Sequence, residues 1–150
     1  MHALLANSEE FFERSTRCLT EAESNFSPAD GLFTAAQQMA HAAQTIEWFV
    51  EGANSEFDLD FATHEREVRE VKSITAARQW LAKAFNKARR FVDEHSEEEL
   101  NQPLPPGPVM GGAPKSAVFA AISEHTAHHR GALTIYSRLA GKTPLMPYGE

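Results

Sequence analysis

Residues 115–140 read KSAVFAAISEHTAHHRGALTIYSRLA, and this stretch decides the fold. Val118, Ile122, His125, His129, Ala132, Leu133 and Tyr136 recur at the three- and four-residue spacing of one helix face. The segment is too long for a strand, and its apolar row is interrupted only by the two histidines. Pro114 suits the first turn of such a helix and Gly141 suits its C-terminal cap.

The preceding helix is predicted over residues 74–95. Its stripe of Ile74, Ala77, Leu81, Ala84, Ala88, Phe91 and Val92 keeps the same period. A second helix is predicted over residues 32–53 and a first over 8–23. In the first, Asn7 is the candidate cap, Leu5, Phe12 and Leu19 form the apolar face, and Cys18 is a small core residue. Three breaks separate these segments: residues 25–31 (NFSPADG), the charged stretch 54–73, and 102–114 (QPLPPGPVMGGAP). No segment reads as a strand. The expectation is an all-α four-helix bundle filling residues 1–150 as one domain. The two long connections suggest cover over one end of the bundle and leave simple up-down order open.

Composition narrows the function. The chain has 42% apolar and 23% charged residues, which suits a globular protein rather than a disordered one. Its formal net charge is −7 and its basic residues are scattered, so no basic face for nucleic acid is expected. No stretch approaches the ~18 apolar residues that span a membrane, and residues 1–15 lack the pattern of a signal peptide. The single cysteine forms no CxxC motif. A cytoplasmic protein acting on a small molecule is the resulting expectation.

The chemistry lies in Glu124-His125-Thr126-Ala127-His128-His129. His125 and His129, four residues apart on a helix, place two imidazoles one above the other, within reach of one ion at bonds of about 2.0–2.1 Å. Both interrupt the inward row, and a buried imidazole needs a partner. His128 is turned roughly 60–100° from both and is the poorer ligand. Glutamate does not follow the first histidine, as a thermolysin-type zinc helix requires, and the Glu-x-x-His of di-iron bundles is absent. The third ligand is open among His41, His64, His95 and several carboxylates. His41 shares its face with Thr34, Gln38, Thr45 and Trp48, opposite the more apolar Met39, Ala43, Ile46 and Val50.

Met39-Ala40-His41 with Trp48 seven residues on, the run His125-Thr126-Ala127-His128-His129-Arg130-Gly131, and the tail Gly141-Lys142-Thr143-Pro144 leading to Pro147-Tyr148-Gly149 together resemble the DinB/YfiT-like metalloenzyme superfamily. (These are the damage-inducible proteins, not the polymerase of the same name.) The resemblance runs over nearly the whole chain; relatives often carry Gln where this chain has Ala132. It implies a four-helix bundle holding one divalent metal ion on His41, His125 and His129; imidazole ligands suit zinc or nickel first and iron or copper next. It also implies a homodimer and, from some relatives, a transferase or isomerase using a low-molecular-weight thiol. A metal-dependent hydrolase and a non-catalytic, metal-stabilised or stress-response bundle are the other readings. Arg130 and Gly131 are expected to be structural, and Trp48 to be core, pocket or both.

Overall fold

The computed structural model describes residues 1–149. Four long helices, α1 (His2–Thr16), α2 (Ala35–Asn54), α4 (Ile74–Glu94) and α6 (Ala117–Leu139), carry the core, with two shorter ones, α3 (Phe61–Glu70) and α5 (Glu97–Leu100), between them. No strand occurs among the described residues; an isolated bridge pairs Pro103 with Pro114. α2 and α1 each pack against both α4 and α6. The ring order is thus α1–α4–α2–α6, which is not simple up-down succession.

α2 is the most buried helix of this ring. Ala35, Ala36, Met39, Ala40, Ala42, Ala43 and Ile46 are all buried, and so are the polar Gln37, Gln44 and Thr45. A helix covered on most sides loses the two-faced pattern from which burial is read. His41 therefore lies on a face that is polar yet covered. α2 begins at Ala35 rather than residue 32: Thr34 accepts from the Gln37 N–H at 3.3 Å, the Gln37 side chain accepts from the Thr34 N–H at 3.0 Å, and Leu32 is exposed.

The first helix departs most from its expected bounds. It starts at His2, so Asn7 is an exposed interior residue and not a cap. Ser8, inside the helix, instead bonds the Leu4 carbonyl at 2.9 Å and the Ser123 hydroxyl of α6 at 3.0 Å. The helix stops at Thr16, whose carbonyl accepts from Arg78 Nη2 at 2.7 Å. The Glu23 carboxylate then takes the Thr20 N–H and hydroxyl, each at 2.8 Å, and sets up a single 3-10 turn over Glu21–Glu23. Cys18 is half-buried rather than a core residue.

The stretch 54–73 holds a helix that the periodicity hid. α3 has one buried residue, Val68, among ten mostly charged or polar ones, so its apolar signal is thin. Its start is fixed by Asp60, whose carboxylate accepts from the Thr63 N–H at 3.1 Å and hydroxyl at 2.7 Å. At its other end the Arg69 carbonyl accepts from the buried Gln37 amide at 2.9 Å. α3 is thereby strapped across α2.

Gly52 makes room for that strap. A Cβ there would meet the Phe57 ring at 2.2 Å. Gly52→Ala would ordinarily gain about 1 kcal/mol of helix propensity. Here it is expected to displace Phe57, and a melt should show no gain or a net loss; a gain near the full propensity value would contradict this packing.

α6 begins at Ala117, and Pro114 opens the turn that leads into it, its carbonyl accepting from the Ala117 N–H at 2.9 Å. Its end is as the sequence predicts. Gly141 has φ 75°, the Gly141 N–H reaches the Arg138 carbonyl at 3.0 Å, and the Lys142 N–H reaches the Ser137 carbonyl at 2.8 Å.

Candidate metal centre

α6 presents His125 and His129 toward α2, and α2 presents His41 toward them. One nitrogen from each of the three rings lies within 4.8 Å of the others. The ring centroids are 4.3 Å apart for His125–His129, 4.8 Å for His41–His129 and 5.2 Å for His41–His125. His129 is buried; His41 and His125 are half-buried. The expected triad is brought together.

The hydrogen bonding fits a ligand set. His129 Nδ1 lies 3.1 Å from Gln38 Oε1, which accepts its proton and leaves Nε2 with a free lone pair. That Nε2 is 3.1 Å from His125 Nε2. His125 Nδ1 is buried without a protein partner. Two imidazole nitrogens aimed at one point, with the outer nitrogen of one ring held by an amide oxygen, is the arrangement of metal-bound histidines. The donor set, three neutral nitrogens, suits zinc, nickel, copper or iron. Gln38→Leu is accordingly expected to weaken metal binding roughly 10–100-fold, the cost of losing an outer-shell partner. An unchanged affinity in a competition titration would show that Gln38 does not orient His129.

Electrostatics keep the rings neutral. Burial pushes His125 down to about 4, with His41 and His128 adding like-charge repulsion. His129 is pushed lower still, by burial first and then by His125, His41 and His128. Burial also lowers His41, against an opposing pull from the Glu65 carboxylate. An unfolded histidine titrates near 6.5. Between that value and the lowered ones the unfolded chain binds more protons, so stability rises with pH there. The metal-free protein is thus expected to lose stability as pH falls from about 7 to 5. The carboxylates held low by hydrogen bonds, Glu21, Glu23, Asp60 and Glu99, act only at more acid pH. Equal urea midpoints at pH 7 and pH 5 would refute the burial of neutral rings.

The other histidines add no nitrogen to this cluster. His128 is exposed, its ring edge-on to His129 at 4.9 Å. His95 stacks on Phe91 at 4.1 Å and its Nδ1 lies 2.8 Å from the Phe91 carbonyl oxygen. His64 Nε2, on α3, lies 3.3 Å from Asp58 Oδ2 but has no hydrogen-bond partner. Arg130 lies against the rings of Phe11 and Tyr148 and donates to the Tyr148 hydroxyl at 2.8 Å, a structural tie from α6 to the tail.

Two cavities meet at the triad. One, of about 250 Å³, lies between α2, α3 and α6 and includes Phe33, Trp48, Phe61, His64 and Glu65. The other, about 500 Å³ and more open, includes Ala121, Glu124, His128 and His129. His41, Phe49 and His125 line both. Sequence spacing identifies neither Glu65 nor Phe61 as part of the site, because both belong to the helix it missed. The Asp60 cap motif was the available signal.

The fold has close parallels among solved structures. A DinB-like protein from Bacillus cereus is 18% identical, with TM-score 0.74 over 97% of this chain and 92% of its own. A DinB-like protein from Bacillus subtilis is 15% identical, with TM-score 0.70 over 96% and 94%. A conserved protein from Enterococcus faecalis is 18% identical, with TM-score 0.70 over 94% and 95%. At these identities the likeness bears on the fold. No curated protein matches the sequence. The sequence pattern of the DinB superfamily matches residues 4–133, most of the bundle and all three clustered histidines, and the chain belongs to that superfamily.

Proposed function

We propose that this protein is a divalent-metal-dependent group-transfer enzyme whose ion, zinc or nickel, is held by His41, His125 and His129. The carrying observation is that the three imidazole nitrogens cluster where two separate cavities converge. Structural zinc sites are closed by four protein ligands, whereas three ligands leave a position for an exogenous one. The chemistry that such an ion supplies when bound is Lewis acidity, which favours the deprotonated form of a thiol or water. The chain's own residues do the rest. Gln38 orients His129, burial keeps the three rings unprotonated, and the two cavities give two substrates access to one point. Two approaches favour transfer between substrates over hydrolysis, which needs room for one substrate and water. The preference for a thiol comes from what the family resemblance implies.

Of the titratable groups in the narrower cavity, Glu65 and His64 face the cluster from α3. His64, half-buried, is the candidate for moving a proton, since Glu65, Glu124 and His128 are exposed.

The test is conjugation of a panel of low-molecular-weight thiols to 1-chloro-2,4-dinitrobenzene, with and without chelator. Turnover that chelation abolishes and added zinc or nickel restores is the expected result. Chelator-insensitive turnover would contradict the proposal. A melting temperature that chelation lowers, with no turnover across the panel, would favour the non-catalytic reading.

A further inference from the structure

The narrower cavity has walls that metal binding does not require. Phe33, Trp48, Phe49 and Phe61 line it beside His41 and His125. Trp48 is held in place: its indole N–H donates to the Asp58 carbonyl at 2.6 Å, and its ring lies 4.8 Å from Phe57 and 5.9 Å from Phe61. The aromatic wall therefore exists before anything binds. Phe61 is 57% exposed although it is part of that wall.

The cavity's charge is one-sided. No lysine or arginine lines it, and its only carboxylate is Glu65. Arg69, the neighbouring cation, is held by Glu65 at 2.8 Å and sits over the Phe33 ring at 4.8 Å. A phosphate or carboxylate held away from the ion would face Glu65, whose neighbouring cation Arg69 is already paired with it, and that is costly in a largely apolar space. Mostly aromatic walls with a few convergent polar groups are the make-up of small-molecule sites, and about 250 Å³, just below their usual range, limits the occupant to a compact group. The open cleft differs: Glu124 and His128 line it, and its one large ring is the shared Phe49.

We propose that the cavity between α2, α3 and α6 receives an uncharged aryl group, so that one substrate of the centre is a compact aromatic molecule whose donor atom faces His41 and His125. The open cleft serves the polar co-substrate. This inference rests on the reading of the three histidines as a metal site, and the test separates the two.

The zinc-loaded protein is titrated calorimetrically with acetohydroxamate, benzohydroxamate and 4-carboxybenzohydroxamate, which share one metal-binding group. Benzohydroxamate should bind roughly ten-fold or more tighter than acetohydroxamate, the worth of burying a ring. The para-carboxylate should forfeit most of that gain. Phe61→Ser should shrink the preference severalfold while zinc content stays. Equal affinities for the first two probes on zinc-loaded protein would overturn the aryl site and leave the metal reading standing. Nickel replaces zinc if zinc is not taken up, and failure to take up zinc, nickel, iron or copper would overturn the metal reading. The cavity is then judged on metal-free protein in a Trp80→Phe background, where 2-naphthol should quench Trp48 emission and Phe61→Ser should weaken the quenching. Absence of quenching would overturn the aryl site on its own ground.

Discussion

His41→Ala is expected to lower metal affinity by more than the roughly 10–100-fold that an outer-shell partner is worth. His41 is the sharpest probe because it belongs to a different helix from the other two ligands. His125 and His129 share α6, and their pairing survives the substitution. What is lost is the cross-link from α6 to α2. Stabilisation by a ligand that binds only the native state scales as RT ln(1 + [L]/Kd). A 100-fold loss of affinity at fixed, saturating ion thus removes about 2.7 kcal/mol from the loaded protein. The metal-free protein should change little, since a half-buried ring is replaced by a smaller side chain. His128→Ala, at an exposed position, should retain the metal. Metal content and paired melts with and without chelator check both variants. Full metal retention by His41→Ala would reduce the site to an α6 pair.

Arg78→Met is expected to have the largest effect on the fold itself. The Arg78 guanidinium bonds both Glu13 carboxylate oxygens at 2.8 Å and the Thr16 carbonyl at 2.7 Å, with longer contacts to the Thr16 hydroxyl at 3.3 Å and the Leu19 carbonyl at 3.4 Å. It closes the C-terminus of α1 from α4. Methionine keeps much of the stem and removes every donor, leaving helix-end carbonyls without their partner. Charge-assisted bonds of this kind are each worth about 1.5–3 kcal/mol when buried. Glu13 is 40% exposed and water recovers part of the loss, so about 2–3 kcal/mol is expected. The two variants differ in signature. Arg78→Met should lower melting with and without metal by similar amounts, whereas His41→Ala should act only on the loaded protein. A melt of Arg78→Met within about 0.5 kcal/mol of wild type would show that α1 ends without its help.

These two residues also mark where the sequence was legible. α4 and α6 keep one apolar stripe each, and both were readable almost to the residue from periodicity and from the Gly141 cap. Arg78 explains the error at the C-terminal end of α1. A guanidinium sixty residues downstream terminates that helix, and no local signal near Thr16 announces it. His125 and His129 were legible because helix spacing alone puts them together. His41 was not, since α2 is covered by α3 as well as by α4 and α6, and a polar face under cover looks like a solvated one. The resemblance supplied that residue, and the geometry places its ring 4.8 Å from His129. α3 escaped notice because it buries one side chain, yet it brings Phe61, His64 and Glu65 to the cavity.

A single ion on three histidines is the feature from which the chemistry follows. It is tested most directly by elemental analysis of protein prepared without a histidine tag, together with X-ray absorption at the edge of whichever metal is found. About one ion per chain is expected, with three imidazole nitrogens bound at about 2.0–2.1 Å if that metal is zinc, and with one nitrogen lost in His41→Ala. Protein that holds no zinc, nickel, iron or copper and melts unchanged when they are added would contradict it.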